Sequence, residues 1–206
     1  MDEAVDTDGH DLSFMNTLNH HIASWLEGTY NDTNIIYNMS DEEIKYLLNH
    51  LQSSESDLVP TGHLTRIGRK YHASGLKEGD VLKGNNLFRS FSRDPSSTSH
   101  IISEYREYGM GVDDWVIYRT VGNVKFFDPT KFSNPYPDQT ETFVPVDTMK
   151  VTKIHTITDD DELYALTGID QHIPNNRHIK VIDITPDENI KSVPVILNDG
   201  ETTINL

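Results

Sequence analysis

Gln139 and Glu141 stand two residues apart, where a loop rich in Pro, Asp, Asn and Thr runs into the apolar stretch FVPV. In an extended chain, residues i and i+2 project from the same side. An amide and a carboxylate therefore stand together at the start of a strand. A fixed carboxylate favours positive charge developing on a bound ligand, and an amide both donates and accepts hydrogen bonds. Such a pair suits a ligand with hydroxyls and a nascent cation; it is also ordinary strand-end polarity. A second set of groups is basic: Arg66, Arg69, Lys70, Arg89, Arg93 and Arg106 fall close together in the sequence. A guanidinium grips phosphate through paired, charge-assisted hydrogen bonds, so these suit a phosphate-bearing ligand. A scattered, solvated face is the alternative.

The whole chain restricts the choice. Its 206 residues suffice for one substantial domain, or one domain with an appendage. The formal charge of −16 opposes long contacts with a polyanion and with anionic membranes. Cysteine is absent, which excludes disulfides and cysteine zinc sites. The ten histidines include no HExxH pair, and DTDGHD near the start lacks the later ligands of a calcium loop, so no metal is expected. Phosphate-loop, dinucleotide-fold and Gly-x-Ser-x-Gly signatures are missing. No apolar run reaches the roughly 18 residues of a membrane span. The acidic start lacks a signal-peptide pattern, and a cytoplasmic protein is expected.

The elements that must hold these groups follow from periodicity. Met15, Leu18, Ile22, Trp25 and Leu26 predict a helix over 12–27. SDEEIKYLLNHL predicts a second, with Ser40 and Glu43 as a capping box. QSSESD reads as a loop. Strands are expected around Arg66, over Asn86–Ser92, and in WVIYR, VKFF, FVPV, MKVTKIH, HIKVIDI and SVPVIL. Asp94 and Pro95 should open a helix through Ile101, Ile102 and Tyr105, and DDDELYAL should form a short helix stopped by Gly168. Helices first and mostly strands afterwards indicate an α+β fold.

Three elements in order, Arg66 on an early strand, FRSFS on a middle strand and QTE entering a later one, resemble the Arg, Ser-x-Ser, Glu signature of the mono-ADP-ribosyltransferases. The likeness covers roughly residues 64–154 and is most similar to the small tailed-phage transferases. LTRIG departs from the family's Arg-Gly pattern, because Ile67 separates Arg66 from Gly68. SSTS at Ser96–Ser99 matches in spelling but falls in a helix's first turn, so Ser90 and Ser92 are the candidate serines.

The resemblance implies an ADP-ribosyltransferase-like two-sheet core over 61–158, a helical N-terminal segment over 1–60, and an extension over 159–206 packed on the same domain. It implies NAD as co-substrate, with Arg66, Ser92 and Gly68 in its binding. Glu141 would stabilise the charge that grows on the ribose, and Ser90 would orient that carboxylate. Gln139 stands where relatives that modify arginine carry a second acid, which points away from arginine as acceptor. The expected activity is transfer to a host macromolecule, protein rather than nucleic acid, in the host cytoplasm if a bacteriophage encodes the chain. NAD hydrolysis is one alternative. An acidic, non-catalytic inhibitor that binds a basic partner surface is another.

Overall fold

The structure is a computed structural model that describes residues 49, 55–57, 63–83, 88–111, 114–127, 141–145, 148–186, 194–196 and 203–205. The two expected N-terminal helices lie outside these residues, apart from Asn49, which is helical.

Eleven strands and two helices are described. The strands are β1 (Glu55–Asp57), β2 (Thr65–Arg69), β3 (Val81–Lys83), β4 (Phe88–Ser92), β5 (Trp115–Thr120), β6 (Lys125–Phe127), β7 (Glu141–Pro145), β8 (Thr148–Ile157), β9 (Ile179–Pro186), β10 (Pro194–Ile196) and β11 (Thr203–Asn205). The helices are α1 (Pro95–Glu107) and α2 (Asp160–Thr167). A 3-10 turn, Lys70–Ala73, follows β2.

Nine strands form a single sheet in the order β1-β6-β7-β4-β2-β5-β9-β8-β3, while β10 and β11 pair separately. The expected core of two sheets is thus one continuous sheet among the described residues. It is continuous because β2 pairs with β5 along all five of its residues. On its other side β2 meets β4 through the pair Thr65 and Ser92. That short seam joins the two halves. The pairing is antiparallel except for β5 with β9. The expected loop QSSESD contains β1, which pairs with β6. The stretch from 159 onward supplies α2 and β9, and β9 lies between β5 and β8.

Alternation divides the sheet into two apolar faces. One buries Leu64, Phe91, Val116, Val144, Val151 and Ile182. The other buries Trp115, Ile117, Ile179 and Val181 with Ile102 of α1 and Leu163 of α2. The helices begin where the sequence requires. The Asp94 carboxylate accepts from the Ser96 amide at 2.9 Å, and Pro95 occupies the first turn. The Asp159 carboxylate accepts from the Glu162 amide at 3.0 Å, and Asp160, Asp161 and Glu162 lie where the helix dipole favours acids. Gly168 ends α2 at φ 73°, a left-handed conformation that favours glycine. Its Cα lies so close to Pro95 that a Cβ would stand 2.8 Å from the proline Cγ. The end of α2 is therefore fitted against the start of α1.

Candidate active site

Strand register gathers part of the predicted site into one cross-strand row. Glu141 of β7 lies opposite Ser92 of β4. Ser92 lies opposite Thr65 of β2, Thr65 opposite Arg119 of β5, and Arg119 beside Asp183 of β9. Directly opposed residues share a face. Ser90 lies two residues from Ser92 on β4, on that same face and opposite Phe143. Glu141, Ser92 and Ser90 are thus neighbours in the sheet, and Glu141 is the first residue of its strand.

Arg66 is not brought to them. It neighbours Thr65 along β2, so it belongs to the alternate face, where its cross-strand partner is Tyr118. It is also two strands from β7, about 10 Å at the usual spacing. Gly68 shares the Arg66 face and pairs with Val116. A Cβ there would meet Tyr118 Cε2 at 2.8 Å, so the missing side chain is what lets the ring lie against β2. Gln139 lies outside the described residues. Ser96–Ser99 fall in the first turns of α1, as their position after Asp94 and Pro95 requires.

Ser92 is built into the turn that follows it. Its hydroxyl donates to the Asp94 carbonyl at 2.8 Å and accepts from the Asp94 amide at 3.3 Å. The hydrogen bonds from the Ser96 hydroxyl and amide hold the Asp94 carboxyl below its ordinary value. Thr65 is buried, with its hydroxyl 2.8 Å from that of Thr98 on α1. The β4–β2 seam is thereby tied to the helix.

At the other end of the row is a network the sequence reasoning missed. Arg119 Nε and Nη2 donate to the two Asp183 carboxylate oxygens, each at 2.8 Å. Arg119 Nη1 donates to the Leu166 carbonyl at 2.6 Å. His155 Nε2 lies 3.0 Å from Asp183 Oδ2. The side chains of Arg119 and His155 are each 16% exposed and that of Asp183 8%. Burial raises the Asp183 carboxyl, but the hydrogen bonds and charges of Arg119 and His155 outweigh it, leaving the group below its ordinary range. The network joins β5, β8, β9 and α2. A signal for it existed in WVIYR and VIDI, two otherwise apolar stretches that each carry one charge.

No family model matches the chain, and no curated protein does. Among solved structures, the Vis toxin, an ADP-ribosyltransferase from Vibrio splendidus, is similar at 13% identity and a TM-score of 0.46, over 94% of this chain and 77% of that one. The catalytic domain of VahC from Aeromonas hydrophila is similar at 12% identity and a TM-score of 0.44, over 84% and 96%. The ADP-ribosylating toxin BECa of C. perfringens, in a structure with NADH, gives 13% and 0.43, over 84% and 40%.

Proposed function

We propose that the chain is an NAD-dependent mono-ADP-ribosyltransferase that modifies a host macromolecule, protein rather than nucleic acid. The observation that carries this reading is the register of β4 and β7, which opposes Ser92 to Glu141 at a strand end with Ser90 on the same face. The ordered FRSFS and QTE motifs support it independently.

NAD supplies a glycosidic bond that breaks with its electron pair on the nicotinamide nitrogen, while an acceptor nucleophile bonds to the ribose and gives up its proton. Glu141 is the group for the charge developed at the ribose. A carboxylate fixed beside that sugar acts more on the transition state than on the bound substrate. Ser90 keeps the carboxylate in place, and Ser92, its hydroxyl committed to the Asp94 turn, fixes the strand end beside the nicotinamide. Arg66, on the alternate face, braces β2 rather than standing beside Glu141. Gln139 contacts the acceptor: an amide cannot take a proton, so a guanidinium is a poor partner for it. The protein preference rests on charge, because −16 speeds encounter with a basic protein and opposes a polyanion.

The test is purified protein with labelled NAD and a host lysate. Wild type should label macromolecules, the label should vanish with protease rather than nuclease, and Glu141→Gln should lower the rate about 10²–10⁴-fold with the fold intact. Free ADP-ribose without labelled macromolecules would mean hydrolysis. Unchanged turnover in Glu141→Gln would remove Glu141 from the reaction.

A further inference from the structure

The opposite end of β2 holds a second constellation. Arg69 lies four residues beyond Thr65, about 13 Å along the strand at the usual rise. There the end of β2, the 3-10 turn, and the starts of β5 and β9 border an open-sided cavity of about 840 Å³. This is within the roughly 300–1,000 Å³ of small-molecule sites. Its lining includes Arg69, Lys70, Tyr71, Trp115, His178 and Lys180.

The charge of this lining is unlike that of the chain. Acids outnumber Lys and Arg 33 to 17 in the sequence. Yet Arg69, Lys70, His178 and Lys180 converge on one cavity, and none of them forms an ion pair among the described residues. The one acid in the lining, Asp114, accepts from the Gly111 amide at 2.7 Å. Arg69 is held in place rather than swinging free. Its guanidinium lies 4.5 Å from the Trp115 ring centre and 5.6 Å from that of Tyr105, and it donates to Met110 Sδ. A cation fixed over rings loses less freedom when it meets an anion. Two further features suit a ligand with a ring and acceptor atoms. Tyr71 is 70% exposed at the cavity, and the buried Trp115 Nε1–H has no acceptor among the described residues.

We propose that this cavity is a nucleotide-phosphate site: Arg69, Lys70, His178 and Lys180 hold the phosphate oxygens and Tyr71 offers a ring face to the base. The site stands independently of the role given to Glu141. The experiment is calorimetric titration of the full chain with ADP, adenosine and inorganic pyrophosphate. ADP should bind at least about 10-fold more tightly than adenosine, since hydrogen bonds to charged groups are the stronger ones. Its affinity should fall as salt rises. Lys180→Glu and Lys70→Glu, on different elements, should each weaken ADP about 10-fold and leave adenosine within 2-fold. Glu141→Gln should leave ADP affinity unchanged, so failure of the cavity and failure of the catalytic reading are told apart. Displacement of ADP by NAD would mark the cavity as part of the dinucleotide's path, and simultaneous binding would mark a second nucleotide; both support the site. Equal affinity for ADP and adenosine, no salt dependence, or unchanged ADP binding in both lysine variants would overturn it.

Discussion

Replacing Asp183 by Asn should destabilise the protein by about 3 kcal/mol. The change keeps the shape and removes the charge that receives Arg119 Nε, Arg119 Nη2 and the His155 ring nitrogen. One carboxylate oxygen becomes an NH2 facing a donor, and a largely buried guanidinium loses its counter-charge. Breaking one side of a buried pair costs about 3–5 kcal/mol. The lower end applies here, because Arg119 keeps 16% of its side-chain exposure and its bond to the Leu166 carbonyl. For a chain of this length the loss corresponds to a Tm lower by about 6–12 °C. His155→Phe removes one hydrogen bond and should cost about 1 kcal/mol. Arg119→Met with Asp183→Leu should cost less than the sum of the single changes, because neither charge is left alone. The assay is urea unfolding at several pH values. The folded Asp183 carboxyl is depressed below its ordinary 3.8. Its contribution is therefore complete above that value and is lost as pH falls through the lower folded one. The gap between wild type and Asp183→Asn should be constant near neutrality and close in acid. A cost under about 1 kcal/mol with an unchanged m value would refute the reasoning, since it would mean that water already screens the pair.

Other outcomes follow from single features. Gly68→Ala should cost about 1–3 kcal/mol by overpacking, because its Cβ would stand 2.8 Å from Tyr118 Cε2 and 3.2 Å from Val116 Cγ1; adding Tyr118→Leu should recover part of the loss in thermal melts. Gly168→Ala meets both the positive φ and the Pro95 ring and should cost about 2–3 kcal/mol, and Gly168→Asn, which tolerates the φ but not the contact, should recover little of it. Wild type should modify agmatine far more slowly than its lysate target, and Gln139→Glu should raise the agmatine rate while leaving NAD hydrolysis largely standing; comparable wild-type rates on both acceptors would overturn the role of Gln139.

Most of the strands, and both described helices, were legible because their signals are local. Asp94-Pro95 and Asp159 with Gly168 bracket the helices, and WVIYR and VIDI are the nearly continuous apolar runs of strands buried on both faces. β1 was not legible: Glu55–Asp57 contribute backbone pairing at a sheet edge, and a polar trio carries no alternation there. β3, three residues after a glycine turn, was too short to register a period. For the candidate site, the sequence offered residues but not their arrangement. Residue types pointed to Glu141, Ser90 and Ser92, but whether Arg66 joins them depends on parity across β4 and β2, which two strands far apart in sequence settle only by pairing. The basic cavity was hidden for a related reason. Arg69 and Lys70 were visible as a cluster, whereas His178 and Lys180 reach them only because β9 lies beside β5.

The place of β9 also sets the order in which the chain can fold. This strand, ending at Pro186, is the bridge between β5 and the β8–β3 pair. Until it is available, β5 presents an edge lined by Trp, Val, Ile and Tyr and β8 one lined by Met, Val and Ile, and Arg119 has no Asp183 to meet. A nascent chain stopped shortly before Ile179 would hold two partly built halves, and such unpaired edges recruit other chains. The parallel β5–β9 pairing joins residues more than sixty positions apart. Closure of this long loop must precede its reward, so it is a slow step. Refolding should therefore pass through a stage with α1 formed and β9 undocked, and overexpression should aggregate more readily for variants that weaken β9 than for equally destabilising changes at the end of α2.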